Sequence, residues 1–382
     1  MAETKNIFDG IRNPKVEFLI FIGFSAIVAL AIIILSLNLS YITPQAKQLI
    51  PPSCDYDLNW FYTTSEDSHQ ATAIRQINNQ SIIEVLNDNA KPTKSVYVKK
   101  SQEIWTLDYV NSMIYVTQTI SLNEVYKINL GTAQCFQPSD ISYNGYSLVF
   151  VTCSNSSQTA VISIDQYSIV NIIPVPSELV STHYAYLTTS YKNMVLVVYS
   201  PDRYYLYSLN NNLDISVVKL GVLSGINGIA NGYGSKNKLY NIYFSTTTKN
   251  IFKLEWSNSL TLIEQTASPL PLPIIDMEVS NDNAYLYVLM AGSNIISIYD
   301  TNTMKIIMGS SSNSGVIPNI TSIALSDNGK TMLLTGSPYP SLVLTINQKT
   351  QLFVEGSQTF IETGTNSNHA IAYLQECTCQ YC

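Results

Sequence analysis

A short β-rich tetrad recurs seven times along this chain, and each copy is trailed by an apolar residue followed by an acid or amide. The tetrads are Phe61–Thr64, Tyr115–Gln118, Phe150–Cys153, Val197–Ser200, Tyr243–Thr246, Tyr287–Met290 and Leu333–Gly336. Their last residues are spaced by 54, 35, 47, 46, 44 and 46. The pairs are Ile77-Asn78, Ile128-Asn129, Ile164-Asp165, Leu209-Asn210, Leu254-Glu255, Tyr299-Asp300 and Ile346-Asn347, each polar member 9 to 14 residues behind its tetrad. Two series that keep step seven times point to a repeated structural unit. The sixth unit reads as four strands: IIDMEV, a turn at Ser280–Asn283, AYLYVLM, SNIISIYD and MKIIMG. Asp300-Thr-Asn302 lies where a hairpin must turn, and Asp and Asn suit that place because their side chains bond nearby backbone groups. Four strands in a repeat of about 45 residues describe a propeller blade. The fold expected is an all-β, seven-bladed β-propeller. A pair of β-sandwiches is the other all-β arrangement, but it would not need one shared repeat.

The sixth and seventh units resemble the Tyr-Val-Thr-Asn repeat family of surface-layer-type seven-bladed propellers. The residues that carry the resemblance are Ala284–Met290, Asn294–Thr301 and Ile323–Lys330. It is specific from about 275 to 347, and the second unit keeps Tyr115-Val116-Thr117 with Gln118 in the last place. The resemblance implies a fold and a repeated platform, not a reaction.

A propeller must pair its first and last blades. The first unit begins near Leu58 with the strand that should stand second, and Pro44, Pro51 and Pro52 make residues 39–53 read as a linker. The missing inner strand is predicted at Ala370–Leu374. That closure brings Cys377 and Cys379 toward Cys54, and a disulfide from Cys54 to one of them would lock the ring, leaving Cys382 for the other. Cys135, placed in the outer strand of the second blade, and Cys153, at the end of the second strand of the third, are the remaining candidate pair. The spacing of Cys379 and Cys382 also matches a thiol redox or metal motif, without the helix or the further ligands such sites use.

Phe18 to Leu37 is 20 residues without a charge. At ~1.5 Å per residue it reaches ~30 Å, the hydrocarbon thickness of a bilayer. A cleaved signal peptide would have a shorter apolar region and a small-residue cleavage site. We expect a cytoplasmic tail at 1–17, a signal-anchor helix at 18–38, a linker at 39–53 and an extracellular propeller at 54–382. Lys5, Arg12 and Lys15 before the span against Lys47 after it set that orientation. All six cysteines follow the span, as disulfides outside the cell require. The sequons at Asn79, Asn155 and Asn319 are glycosylation candidates on the same side. Gly23, Ala26 and Ala29 share one helix face and could pack against another membrane helix.

Only 12% of the residues are charged, and the 20 Lys and Arg form no long run. A nucleic-acid groove needs clustered cations. The polar surface must come from amides and hydroxyls, a composition that resembles surface proteins of acid-loving archaea or their viruses. Asn328-Gly329-Lys330-Thr331 looks like the end of a phosphate loop, but Ala324 stands where the first Gly belongs, so a hairpin turn is the better reading. His69 with Glu66 and Asp67 is the best local acid–base group, and it reads as a solvated loop. His183 and His369 lie in other units. Trp60, Trp105 and Trp256 read as packing residues.

The expectation is a membrane-anchored, non-enzymatic binding or scaffolding module at a cell or virion surface, with no cofactor or metal. Its partners would be the lipid bilayer and a protein or glycan on the membrane-distal face. The alternatives are an accessory subunit of a larger envelope complex and a propeller enzyme, a hydrolase or quinone-dependent oxidoreductase, with a central pocket.

Overall fold

The computed structural model describes most of residues 59–374. Residues 1–58 and 375–382, and several connections between strands such as 76–79, 86–89, 175–184, 233–239 and 312–319, lie outside the described residues. The described strands form seven four-stranded antiparallel sheets, the blades of a propeller. Each inner strand lies against the inner strands of the two neighbouring blades, and the series returns from the seventh blade through the first to the second. In chain order from blade 1 the inner strands are Ser367–Leu374, Pro92–Val98, Pro138–Tyr143, Ala185–Ser190, Ile226–Gly232, Ile274–Val279 and Ile320–Leu325.

Blade 1 is made from both ends of the ring. The inner strand Ser367–Leu374 pairs antiparallel with Asn59–Ser65, from Asn59 opposite Leu374 to Thr64 opposite His369. The strand expected at Ala370–Leu374 is therefore present and three residues longer at its start.

The core is not one mass but a series of layers between blades. One cluster joins Trp105, Leu107, Ile114 and Val116 of blade 2 to Ile141, Val149, Val151 and Ile162 of blade 3. Others join blades 6 and 7, and blade 7 with blade 1. A sheet covered on both faces buries every side chain of its middle strands. Glu103–Asp108 and Leu148–Cys153 are buried at all six positions, whereas the outer strand Glu124–Asn129 is exposed at all but Ile128. Trp60 and Trp105 belong to this packing.

The turns follow from local chemistry. Asp300 Oδ1 accepts from Asn302 N at 3.0 Å and Thr303 N at 2.8 Å, closing the expected hairpin. Ser326 to Thr331 is a hairpin end in which Gly329, at φ +67°, donates to the Ser326 carbonyl. A phosphate loop would need a helix there.

One expectation is corrected. The second strands begin at Asn59, Glu103, Leu148, Asn193, Tyr240, Tyr285 and Thr331, at steps of 44 to 47 residues. Tyr115–Gln118 therefore belongs to the third strand of blade 2, Met113–Gln118, and Ile128-Asn129 ends the outer strand. The second-strand place of that tetrad is taken by Trp105-Thr106-Leu107-Asp108, whose last residue lies opposite Pro92 as Cys153 lies opposite Pro138. This one-strand slip produced the uneven 54 and 35 spacings. Cys135 also lies past the outer strand, in the connection to blade 3 after a short 3-10 turn at Gly131–Ala133.

Candidate functional site

Five of the inner strands carry a β-bulge near their start, and the blade 1 pair is irregular at the matching place. The register skips between Pro92 and Lys94, Pro138 and Asp140, Ile226 and Gly228, Ile274 and Asp276, and Ile320 and Ser322. In blade 1 the skip sets Ser367 and His369 opposite the adjacent Ser65 and Thr64. A bulge re-aims the next side chain and frees local backbone groups from the ladder. The residue after the skip is thus equivalent in six blades: His369, Lys94, Asp140, Gly228, Asp276 and Ser322.

These positions are joined by one repeated hydrogen bond. Asp276 Oδ2 accepts from the N–H of Ile323 at 2.9 Å, and Ile323 follows the equivalent residue of the next blade. Ser322 Oγ accepts from the N–H of Ala370 at 3.4 Å, one past His369. His369 Nδ1 accepts from the N–H of Ser95 at 3.3 Å, one past Lys94. The same rule runs from blade 6 through blades 7 and 1 to blade 2. Ser322 Oγ also donates to Asp276 Oδ2 at 2.8 Å.

The series stops where its chemistry fails. An ammonium has no acceptor, and glycine has no side chain. After Lys94, the next blade's N–H, that of Ile141, is accepted by Asp140 of its own strand at 2.9 Å. After Gly228, the N–H of Met277 is accepted by Asp276 of its own strand at 2.9 Å. Aspartate stands at the two places where the preceding blade cannot supply an acceptor. A buried N–H left unpaired is costly, and at these five joints it is satisfied one way or the other.

Charge gathers on this belt. Burial pushes the Asp276 carboxyl up from the usual carboxylate range, against the opposing influence of Lys94 and of the N–H and O–H groups it accepts from. Glu278, two residues further along the strand, is pushed from 4.5 up to about 8, by burial first and then by the charge of Asp276. It is thus chiefly a neutral acid at neutral pH and can donate a hydrogen bond. Among the described residues no group of three or more His, Cys, Asp and Glu is placed to hold a metal.

The residues singled out from sequence lie elsewhere. Cys135 and Cys153 are joined in a disulfide, with Cα atoms 4.9 Å apart. Asn155 is exposed on the turn between the second and third strands of blade 3. His69 Nδ1 bonds the carbonyl of Ala90, and Glu66 lies 4.0 Å from Lys91, so these two groups face blade 2. Cys54, Cys377, Cys379, Cys382, Asn79, Asn319, His183, Gly23, Ala26 and Ala29 lie outside the described residues, as does the whole 18–38 segment. Among the described residues no helix is long and apolar enough to cross a membrane. Sequence reasoning missed the belt. Its signal was present in Pro92-Thr-Lys-Ser, Pro138-Ser-Asp-Ile, Ile274-Ile-Asp-Met and Ile320-Thr-Ser-Ile, each with a polar side chain in the third place.

No protein-family model matches the chain, and no curated protein does. Solved structures do match. One is a candidate 6-phosphogluconolactonase from Bacteroides fragilis, at 13% identity and a TM-score of 0.63, covering 85% of this chain and 100% of that one. Another is a protein from Lactobacillus plantarum, at 12% identity and 0.64, covering 83% and 99%. A third is hydrazine synthase from Kuenenia stuttgartiensis, at 13% and 0.55, covering 72% and 88%. At such identities the likeness is one of fold, and these proteins share that fold while differing in what they are described as doing. The propeller stands, and the Tyr-Val-Thr-Asn family has no family match behind it.

Proposed function

We propose that this chain is a membrane-anchored propeller held outside the cytoplasm, working as a binding or scaffolding module rather than as an enzyme. The observation that carries the reading is the use made of the axial polar groups. Asp276, Ser322 and His369 each accept a backbone N–H from the next blade, so they serve the ring before any ligand. The Cys135–Cys153 disulfide supports an oxidising compartment. The uncharged run at 18–37 supports the anchor. The chain enters the ring at Asn59, at the end of that strand opposite the Ser65–Gln70 turn. The partner-binding face is then the one carrying this turn and its equivalents, including residues 154–157 and 247–250.

The test is mass spectrometry of what co-purifies with the full-length protein in mild detergent from its native membrane or particle. A stoichiometric partner supports the module, and its loss when Gly23, Ala26 and Ala29 become Leu would assign the contact to the membrane helix. A protein recovered alone, with turnover in a lactone, ester and dehydrogenase screen, would replace this reading by the enzymatic one. Lys94 and Glu278 favour that second reading, because both lie on the axial strands and neither takes part in the inter-blade series.

A further inference from the structure

A groove of about 660 Å³ runs along the outer rim between blades 2 and 3. Its walls include Tyr126 and Lys127 on the outer strand of blade 2, and Tyr167 and Asn171 at the outer strand of blade 3. Asn129 and Thr132 also line it. The two tyrosine rings stand 5.0 Å apart with their planes at 30°. Tyr126 is 47% exposed.

Tyr167 is held in place from below. Its backbone has φ +48°, a conformation unfavourable for a bulky residue. Its hydroxyl donates to Glu103 Oε1 at 2.6 Å across the blade joint. Glu103 is buried and accepts from Trp105 Nε1 at 3.1 Å and Ser101 Oγ at 2.7 Å. The Tyr167 ring is stacked on Trp105, centroids 6.0 Å apart. The bond to Glu103, then burial, pushes the Tyr167 hydroxyl up to about 12, so it remains a donor at any working pH. One ring is therefore fixed in orientation, and the second lies over it facing water.

We propose that this groove binds a neutral oligosaccharide stacked on the exposed ring of Tyr126, with Tyr167 as the fixed support beneath that ring. Apolar sugar faces stack on aromatic rings, and sugar hydroxyls pair with the amide NH2 of Asn129, whose Oδ1 accepts from the Gly131 N–H, and with the Thr132 hydroxyl, which donates to the Asn129 carbonyl and keeps its lone pairs for a ligand donor. The single formal charge of the lining, Lys127, is already 3.1 Å from Glu124 and lies over the Tyr115 ring, which suits an uncharged ligand. An added peptide strand is the competing occupant. Both flanking strands carry a bulge, at the Val116/Thr117 and Val161/Ile162 steps of their partners, and a broken edge is a poor template for strand addition. The site is distinct from the partner face proposed above, so failure of one leaves the other standing.

The experiment titrates the full-length protein in detergent with maltohexaose, cellohexaose and mannohexaose by calorimetry. At least one should bind. Tyr126→Ala should weaken that binding about tenfold, the scale of one lost aromatic contact, with an unchanged melting temperature. Tyr167→Phe, which keeps the ring and loses only the Glu103 bond, should weaken it less, and Tyr126→Trp should preserve it. Absence of binding by all three sugars into the millimolar range, or binding indifferent to Tyr126→Ala, would overturn the proposal.

Discussion

The joint between blades 6 and 7 and the joint between blades 2 and 3 solve one problem in two places. At the first, Asp276 reaches across to Ser322 and Ile323 beside the axis. At the second, Lys94 cannot accept, and the cross-blade bonds move outward to the rim. There Glu103 takes the Tyr167 hydroxyl, and Lys100 pairs with Asp165 at 2.7 Å. The disulfide from the Cys135 connection to Cys153 fastens the same joint. Blades 5 and 6, with Gly228 at the equivalent position of blade 5, show a related relocation. Lys253 Nζ, buried, donates to the Thr301 carbonyl at 2.8 Å, and Asn227 Nδ2 donates to the Ile274 carbonyl at 3.3 Å. The lesson is that a propeller needs each joint closed, but the residue at one axial position decides where the closure is made.

The largest effect expected is from removing residues 367–374. Without its inner strand, blade 1 cannot bridge blades 7 and 2, and circular dichroism should show loss of the cooperative melt. A truncated chain that melts like the parent would break the closed-ring account. Next, Asp276→Ala strips an acceptor from Ser322, Ile323 and Met277. At about 1 kcal/mol for each bond the cost is about 3 kcal/mol in chemical denaturation. Removing the disulfide by Cys135→Ser with Cys153→Ser opens a loop with a separation of 18 residues. The loop-entropy argument puts that at about 3 kcal/mol, felt at the joint of blades 2 and 3. Asp140→Ala removes the acceptor of the Ile141 N–H within its own strand, a bond worth about 1 kcal/mol. A loss for Asp276→Ala no larger than that of one such bond would erase the distinction between the two kinds of joint.

Glu278 gives the pH test. Its folded pKa, about 8, lies above the ordinary 4.5, so the folded state binds more protons than the unfolded one between those values. Stability from this group is therefore fully present below about 4.5 and is lost as pH rises through 8, with a slope of at most about 1.4 kcal/mol per pH unit. Denaturation at pH 5.5 and 8.5 should show the fall, and Glu278→Gln should flatten it. A stability that instead rises across this window in the parent, and not in the variant, would contradict the buried-acid assignment.

The repeat was legible because each blade must cover both faces of its middle strands, which writes apolar runs such as Leu148–Val151 and Tyr287–Met290 into the chain at a fixed step. It blurred at blade 2, where Tyr115–Gln118 imitates the second-strand pattern one strand late. Middle strands two and three are both buried, so composition alone cannot order them. The closing strand was legible because the first unit lacked one. The axial belt was not. Its members, Lys94, Asp140, Gly228, Asp276, Ser322 and His369, comprise five residue types serving one position, and their equivalence rests on bulges that sequence does not announce. The Tyr167 platform was hidden for a similar reason, since Glu103 and Tyr167 are 64 residues apart and meet only across a joint.

The most direct test is protease protection on intact native membranes or particles, with a tag in residues 1–17. The account predicts that protease added outside releases a ring fragment beginning within 39–58 and running to the C-terminus. It should remain in one piece without reduction, and the tag should survive until detergent is added. Digestion of the tag with the ring protected, or a ring cut to small peptides under the same conditions, would contradict an outward-facing, closed propeller.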